Sequence, residues 1–361
     1  MPKPLKRALL VLLVLALAIV LFAAGFIAFL TVTEYKPADT ETVDVLRTPG
    51  EGGMALSTQE GVSLRILSWN IGYGGLGQDA DFFMDGGSGV RAKDRETVEE
   101  NLSAISGLIR DLAPDFVLLQ EVDAGSTRTF GIDERERFSG AQSAFALNYC
   151  CRYVPYPIPT IGRVNSGLYT LTDHAIASAA RQSLPCPFSW PVSAANLKRC
   201  LLVNRVDLEG TDRQLVLVDL HLEAYDSGEG KLAQTAALNE LLDREYAAGN
   251  YVIAGGDFNQ TFPGALDVYP IKNPELWTPG VLLDSDLREG WRYAYDLSTP
   301  SCRLLNQPYD PDSPDTQFYI IDGFILSPNV ELRAVETVDA GFVWSDHNPV
   351  VLNVKLHESG R

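Results

Sequence analysis

Two short strings concentrate acids, amides and imidazoles in this 361-residue chain: Gly255-Gly256-Asp257-Phe258-Asn259-Gln260 and, near the C-terminus, Ser345-Asp346-His347-Asn348-Pro349. Trp69-Asn70, Gln120-Glu121 and His221 extend the set. Oxygen donors of this kind suit a hard divalent cation. Together with histidines they can hold such a cation against a phosphate and activate water to attack the phosphorus. Each residue also has an ordinary reading. Asp-Phe-Asn is turn chemistry, Asp346-His347 is a strand-entrance cap, Glu121 is an exposed acid, Asn70 is a turn former and His221 is a half-buried histidine. What weakens those readings jointly is that every member falls at the tip of an expected strand, where loop-borne sites are assembled.

The elements that must position them follow from periodicity. Residues 64–69 alternate as a strand ending at Asn70, and a Gly- and Asp-rich loop follows over 72–89. Val98, Leu102, Ile105, Ile109 and Leu112 repeat at helical intervals until Pro114. Residues 116–119 form a short apolar strand that delivers Gln120 and Glu121. Further strands are expected over 167–172, 200–208, 215–221 and 251–254, with a helix over 230–248. Segments 318–326, 331–338 and 350–356 close the chain as strands. The loop acids Asp79, Asp81 and Asp85 lack calcium-loop spacing and read as a solvated lid. One mixed α/β domain over 61–361 is the simplest account.

The first segment differs from the rest. Ala8 to Val32 is an uncharged run of 25 residues, long enough to cross a hydrocarbon core of ~30 Å. Lys3, Lys6 and Arg7 precede it, so the positive-inside bias places residues 1–7 in the cytoplasm and the rest outside. A cleaved signal peptide would have a shorter apolar region, and Ala23-Ala24-Gly25 is a weak cleavage site. The reading is an uncleaved transmembrane helix over 8–32, then a polar linker over 33–60. The remainder carries 26 of the 29 basic residues against all 47 acids, a formal charge of −21. That field repels polyanions unless a local patch or metal overrides it. Of the five cysteines (Cys150, Cys151, Cys186, Cys200 and Cys302) at least one must be unpaired, and Cys186–Cys200 is a candidate staple. No Cys-x-x-Cys pattern supports a zinc finger.

Six ordered motifs resemble the endonuclease/exonuclease/phosphatase superfamily: Ser68-Trp69-Asn70-Ile71, Leu119-Gln120-Glu121-Val122, Asp219-Leu220-His221-Leu222, Gly256-Asp257-Phe258-Asn259, Ile321-Asp322-Gly323-Phe324 and Ser345-Asp346-His347-Asn348-Pro349-Val350. That superfamily includes deoxyribonucleases, abasic endonucleases, neutral sphingomyelinases and inositol-polyphosphate phosphatases. The resemblance implies an α/β (α+β) four-layer sandwich, two packed mixed β-sheets flanked by helices, here behind one transmembrane helix. It implies Mg²⁺, or Mn²⁺, held mainly by Glu121 with Asn70 and Asp346. Asp257 would deprotonate the attacking water and Asn259 would hold the phosphate or nucleophile. His347, oriented by Asp322, would stabilise the phosphoryl oxygens, and His221 would act from the other side.

One stretch departs from the pattern. Asn165-Ser166-Gly167-Leu168-Tyr169-Thr170-Leu171-Thr172-Asp173-His174 stands where many members read Gly-Asn-Ala-Ile-Leu-Ser-Arg. Asn165 stands in for the shifted asparagine as a candidate substrate-binding residue, and His174 reads as a strand-end surface histidine. The expectation is a membrane-anchored, metal-dependent phosphoesterase with its catalytic domain outside the cell. Its partners would be the membrane, through the N-terminal helix, and a small phosphate ester or lipid headgroup; no protein partner is implied. The alternative is an extracellular endonuclease, which scattered basics such as Arg128, Arg135, Arg137, Arg152 and Arg163 support weakly. An inactive binding module would need lost motif residues, and none is lost.

Overall fold

The structure, a computed structural model, describes residues 2–50, 52–57 and 62–356. The expected boundary at residues 60 and 61, and the end of the domain at 357–361, lie outside them. The chain opens with α1 (Lys3–Val32). Two short strands follow, β1 (Thr40–Val43) and β2 (Val45–Arg47), and then β3 (Val62–Asn70). Next come α2 (Arg95–Leu112), β4 (Phe116–Asp123), β5 (Gln142–Val154), β6 (Gly162–Thr172) and β7 (Ser178–Ser183). They are followed by β8 (Cys200–Glu209), β9 (Gln214–His221), α3 (Glu229–Ala247), β10 (Tyr251–Asp257) and β11 (Arg292–Ala294). The chain closes with β12 (Asp322–Leu326), β13 (Val330–Thr337) and β14 (Val350–Leu356).

These strands form two mixed sheets. One runs β13-β14-β3-β4-β6-β5-β2, and the other β1-β7-β8-β9-β10-β12-β11. Continuous apolar runs explain why both faces of the central strands are covered. Leu215 and Leu217 of β9 join Ile66, Leu118, Ile253 and Phe324 in the core between the sheets. Their neighbours Val216 and Val218 face outward, onto Leu238, Leu241 and Leu242 of α3. On the other sheet Leu67, Trp69, Val117 and Leu119 pack on Val98, Leu102 and Ile105 of α2. Helix, sheet, sheet, helix is the expected four-layer order. Each of these fully buried aliphatic side chains contributes ~1.5–3 kcal/mol.

Local chemistry sets the ends of α2. The Asp94 side chain accepts the Thr97 N–H at 2.8 Å and so caps the helix start. Ala113 then turns left-handed (φ 44°) before Pro114.

Three expectations are corrected. The described residues within 33–60 are not a free linker: β1 pairs with β7, β2 with β5, and Leu56–Ser57 with β8. Alternation is too short there to show as strand, and the neighbouring sheet edges supply the order. The 318–326 strand is two pieces, because Ile320-Ile321 breaks the pairing between Phe318–Tyr319 and β12. The Cys186–Cys200 staple does not exist, since all five cysteines are free. The Cys200 thiol is buried and donates to the Leu147 carbonyl, while Cys186 lies exposed beside the carbonyls of Phe188 and Leu197.

Candidate active site

Strand direction brings the distant motifs to one edge. β3 and β4 are parallel, as are β9 and β10, so Asn70, Gln120, His221 and Asp257 all sit at strand ends on the same side. β12 runs antiparallel to β10, which sets its first residue, Asp322, opposite Asp257. β14 runs antiparallel to β3, and its leading loop therefore carries Asp346 and His347 to the same place.

Two local devices sharpen the geometry. The β4–β6 register slips between Leu119 and Val122, and Glu121 takes a left-handed conformation (φ 56°). A bulge of this kind re-aims the side chain. Gly256 (φ 150°) has no room for a side chain: a Cβ there would lie 1.9 Å from the Leu220 carbonyl.

The polar groups form one network. Asn70 Nδ2 donates to Asp257 Oδ2 at 3.0 Å and to Glu121 Oε1 at 3.3 Å, and lies 3.5 Å from His347 Nε2. His347 Nδ1 is 2.8 Å from Asp322 Oδ2, which also accepts the Ser301 hydroxyl at 2.8 Å. Asp257 Oδ2 lies 3.8 Å from His347 Nε2 and 3.4 Å from His221 Nε2. The Asn259 N–H donates to Asp257 Oδ1 at 2.9 Å, and its amide donates to the Leu222 carbonyl. All these residues except Glu121 are buried, and Glu121 is half-buried.

Burial and the nearby Asp322 carboxylate push Asp257 up to about 7. A base with that affinity is matched to neutral pH. Burial alone would lower His347, but Asp322 outweighs it and holds the imidazolium well above its ordinary range. His221 is driven the other way, by burial and by Arg199 and His347, and stays neutral. One cationic and one neutral imidazole thus flank the same carboxylate.

Glu121 and Asp346 line this cavity with carboxylate oxygens, and Asn70 lies among them, its amide nitrogen toward Glu121 and Asp257 and its oxygen accepting the Gly72 N–H. Asp346 is buried, and burial, with Glu121 nearby, pushes it up to about 6. Crowded, desolvated carboxylates of this sort fit a hard divalent cation, which would relieve the repulsion. Such a set takes Mg²⁺ or Mn²⁺ alike. Cys302, Asp346 and His347 also cluster closely. Burial pushes the Cys302 thiol up to about 12, it donates to the Arg303 carbonyl, and its soft sulfur is a poor match to a hard cation.

Several expectations change here. Asn165 does not line the cavity; its side-chain oxygen accepts from the Cys150 thiol at 3.4 Å. The neighbouring strand supplies Asn148 instead, whose buried Oδ1 has no hydrogen-bond partner. Asp85 is no part of a solvated lid. It is buried in the cavity wall, accepts the Tyr225 hydroxyl at 2.9 Å, and burial raises it to about 6. His174 is not on the surface either: it stacks on Phe116, 5.3 Å between centroids, and does not line the cavity. Three arginines that the motifs did not mark also line the cavity: Arg128, Arg199 and Arg303. Arg128 lies over the Tyr73 ring at 3.7 Å, pairs with Asp123 at 2.9 Å and reaches to 3.9 Å from Glu121. Arg199 holds Glu223 and the His221 carbonyl. The local sequence around these arginines carries no signal, because tertiary pairing places them.

Comparison with known proteins bears on the family and the fold. The profile of the endonuclease/exonuclease/phosphatase family matches residues 67–347. No curated protein matches the chain. Among solved structures, an endonuclease/exonuclease/phosphatase from Beutenbergia cavernae superposes with a TM-score of 0.57 at 19% identity, covering 82% of this chain and 72% of that one. A protein of unknown function from Enterococcus faecalis gives 0.52 at 16% identity, covering 81% of this chain and 100% of that one. A family member from Bacteroides vulgatus gives 0.50 at 17% identity, covering 82% and 100%. Identities this low speak for the fold alone.

Proposed function

This chain belongs to the endonuclease/exonuclease/phosphatase family, and from that membership we propose that it is a divalent-metal-dependent phosphoesterase working at the outer face of a membrane. The observation that carries the reading is the bracketing of His347. Its imidazole lies between Asp322 at 2.8 Å and Asp257 at 3.8 Å, in one cavity with Glu121 and Asp346.

Glu121, Asn70 and Asp346 would hold the cation, which when bound polarises the phosphoryl oxygens and offsets their charge. Asp257 takes the proton of the attacking water, its carboxylate aimed by the Asn70 amide and the Asn259 N–H. The water oxygen forms a new bond to phosphorus in line with the ester oxygen, which leaves with the electron pair of the broken bond and takes a proton from the surrounding water. His347, kept cationic by Asp322, donates to a phosphoryl oxygen as negative charge builds there. Neutral His221 sits on the other side of Asp257 and holds the phosphate or the leaving oxygen. Asn259 completes the grip on the phosphate.

The helix α1 is long and apolar enough to cross a membrane, and the basic residues before it support a catalytic domain on the outer side. The acidic surface weighs against a polyanionic substrate, which places the endonuclease reading second.

The test uses the full chain in phosphatidylcholine nanodiscs with bis-p-nitrophenyl phosphate, plasmid DNA and lipid phosphates, with Mg²⁺ and with EDTA. Mg²⁺-dependent hydrolysis of at least one substrate is expected. His347→Ala or Asp257→Ala should each lower kcat roughly 10²–10⁴-fold. Activity that survives both substitutions rejects these roles, and preferred cleavage of DNA selects the nuclease.

A further inference from the structure

Resting on the hydrolase reading above, we propose that the substrate is a membrane lipid bearing its phosphate ester in the headgroup, with an acyl chain held in an apolar arm of the catalytic cavity. The cavity measures about 700 Å³ and has two chemistries. Its floor carries the acids, amides and histidines already described. Beyond the polar lining, which includes Arg128, Arg199 and Arg303, lies a hydrocarbon part: Tyr149, Val154, Ile161 and Ala195 on one side, and Phe26 and Leu30 of α1 on another. A water-soluble phosphate ester of modest size satisfies the floor and leaves this arm unused. An alkyl chain fills it, and remote apolar binding can then position the ester for reaction.

α1 connects that arm to a bilayer. From Leu9 to Phe22 its large apolar side chains are more than half exposed, so in water nothing covers them. Its last two turns behave differently. Leu30 is buried with Val154, Val164 and Ala194, and Phe26 meets the Tyr153 ring edge-on at 6.2 Å. Trp190 Nε1 donates to Thr31 Oγ1 at 2.9 Å, and Lys198 pairs with Glu34 at 2.8 Å. The helix that would span the bilayer is therefore also the wall of the cavity, without a break. A membrane covering the exposed stretch ends where the arm begins.

Side chains around the mouth fit that placement. Tyr156, 69% exposed, and Val192, 58% exposed, line the cavity, and Trp190, 61% exposed, is fastened to Thr31 of α1, apolar surface unsuited to bulk water. Aromatic and apolar side chains beside a span belong at headgroup depth. A lipid moving laterally along α1 would keep its tail in hydrocarbon while its headgroup reached the polar floor.

The experiment compares alkyl phosphates of rising length as inhibitors of bis-p-nitrophenyl phosphate hydrolysis by the full chain in phosphatidylcholine nanodiscs. Butyl, hexyl and octyl phosphate are used below their micellar concentrations. Burial of each methylene strengthens binding about fourfold, so octyl phosphate should inhibit on the order of a hundredfold better than butyl phosphate. That ratio should fall roughly tenfold or more in Ile161→Asp, and likewise in Ala195→Phe, which shortens the arm without adding charge. Partition of the alkyl chain into the nanodisc is common to all three proteins. A ratio unchanged in both variants would mean that only the bilayer senses the chain, and the proposal is overturned. A wild-type ratio below about threefold overturns it too. If wild type hydrolyses nothing, the hydrolase reading fails instead. The same series, read as thermal stabilisation of the full chain, then decides whether the arm takes alkyl chains.

Discussion

Free in water, an imidazole titrates near ~6.5 and an aspartate near ~4. In this cavity His347 is held cationic, His221 is held neutral, and Asp257 is poised near neutrality. Those three states come from neighbours contributed by separate strands and loops, among them Asp322, Arg199 and His347, which is why residue types alone left their roles open. If the assignment is right, Asp322→Asn should lower kcat, but less than His347→Ala, because the ring survives without its orienting charge; steady-state kinetics on the two variants measures the order. Glu121→Ala should raise the Mg²⁺ concentration for half-maximal activity about tenfold or more while leaving the fold intact, since a hard cation depends on its charged oxygen. A metal titration checks it, and an unchanged requirement would move the ion elsewhere. The motif residues were legible in the sequence because hard-cation chemistry restricts the donor types. Asn165 was misplaced and Asn148 missed because a register slip between β5 and β6, near Leu147 and Tyr149, decides which asparagine reaches the cavity.

Among the elements, apolar periodicity fixed β3, β4, β9, β10, β14, α2 and α3 to within a few residues at each end. It failed for β5 and β7. Ser143, Ala144, Ala146 and Asn148 of β5 are small or polar, and β7 reads Ser-Ala-Ala-Arg-Gln-Ser. Such strands are held by ladders to β6 and β8 rather than by their own pattern. The tight approach of β10 to β9 yields a test. Gly256→Ala would force a Cβ to within 1.9 Å of the Leu220 carbonyl at a backbone angle alanine avoids. A loss of ~3 kcal/mol or more in urea unfolding is expected. A second test concerns α3. Burial alone would raise the Glu245 carboxyl, but two hydrogen bonds from Arg205, at 2.7 and 2.9 Å, outweigh it and hold it below its ordinary value. The folded state therefore binds this proton more weakly than the unfolded chain. The pair contributes stability above the unfolded carboxylate range of ~4.3, and loses it as pH falls through the lower folded value. Urea midpoints of wild type and Glu245→Gln should differ at pH 7 and converge in acid.

For the molecule as a whole, α1 is the part whose surroundings matter most. Its flank is uncovered while its final turns are fastened to the domain by Thr31, Glu34 and Leu30. If it lies in a bilayer, lipids brominated near the headgroup end should quench the protein's fluorescence, and Trp190→Phe should remove most of that quenching. Release of the chain into the medium without its first 32 residues would contradict the anchor. Composition and motif order determined a good deal unaided: an apolar segment long enough to cross a membrane, an acidic remainder, an oxygen-rich donor set and the family to which these belong. Each depends on residue type or local period, which a linear string carries. Only the folded chain decided that β1 and β2 stitch the supposed linker into both sheets, that Arg128, Arg199 and Asp85 line the cavity, and that the end of α1 walls it. Those facts rest on which sheet edge, strand register and helix face meet, and such meetings are settled by packing between residues far apart in sequence.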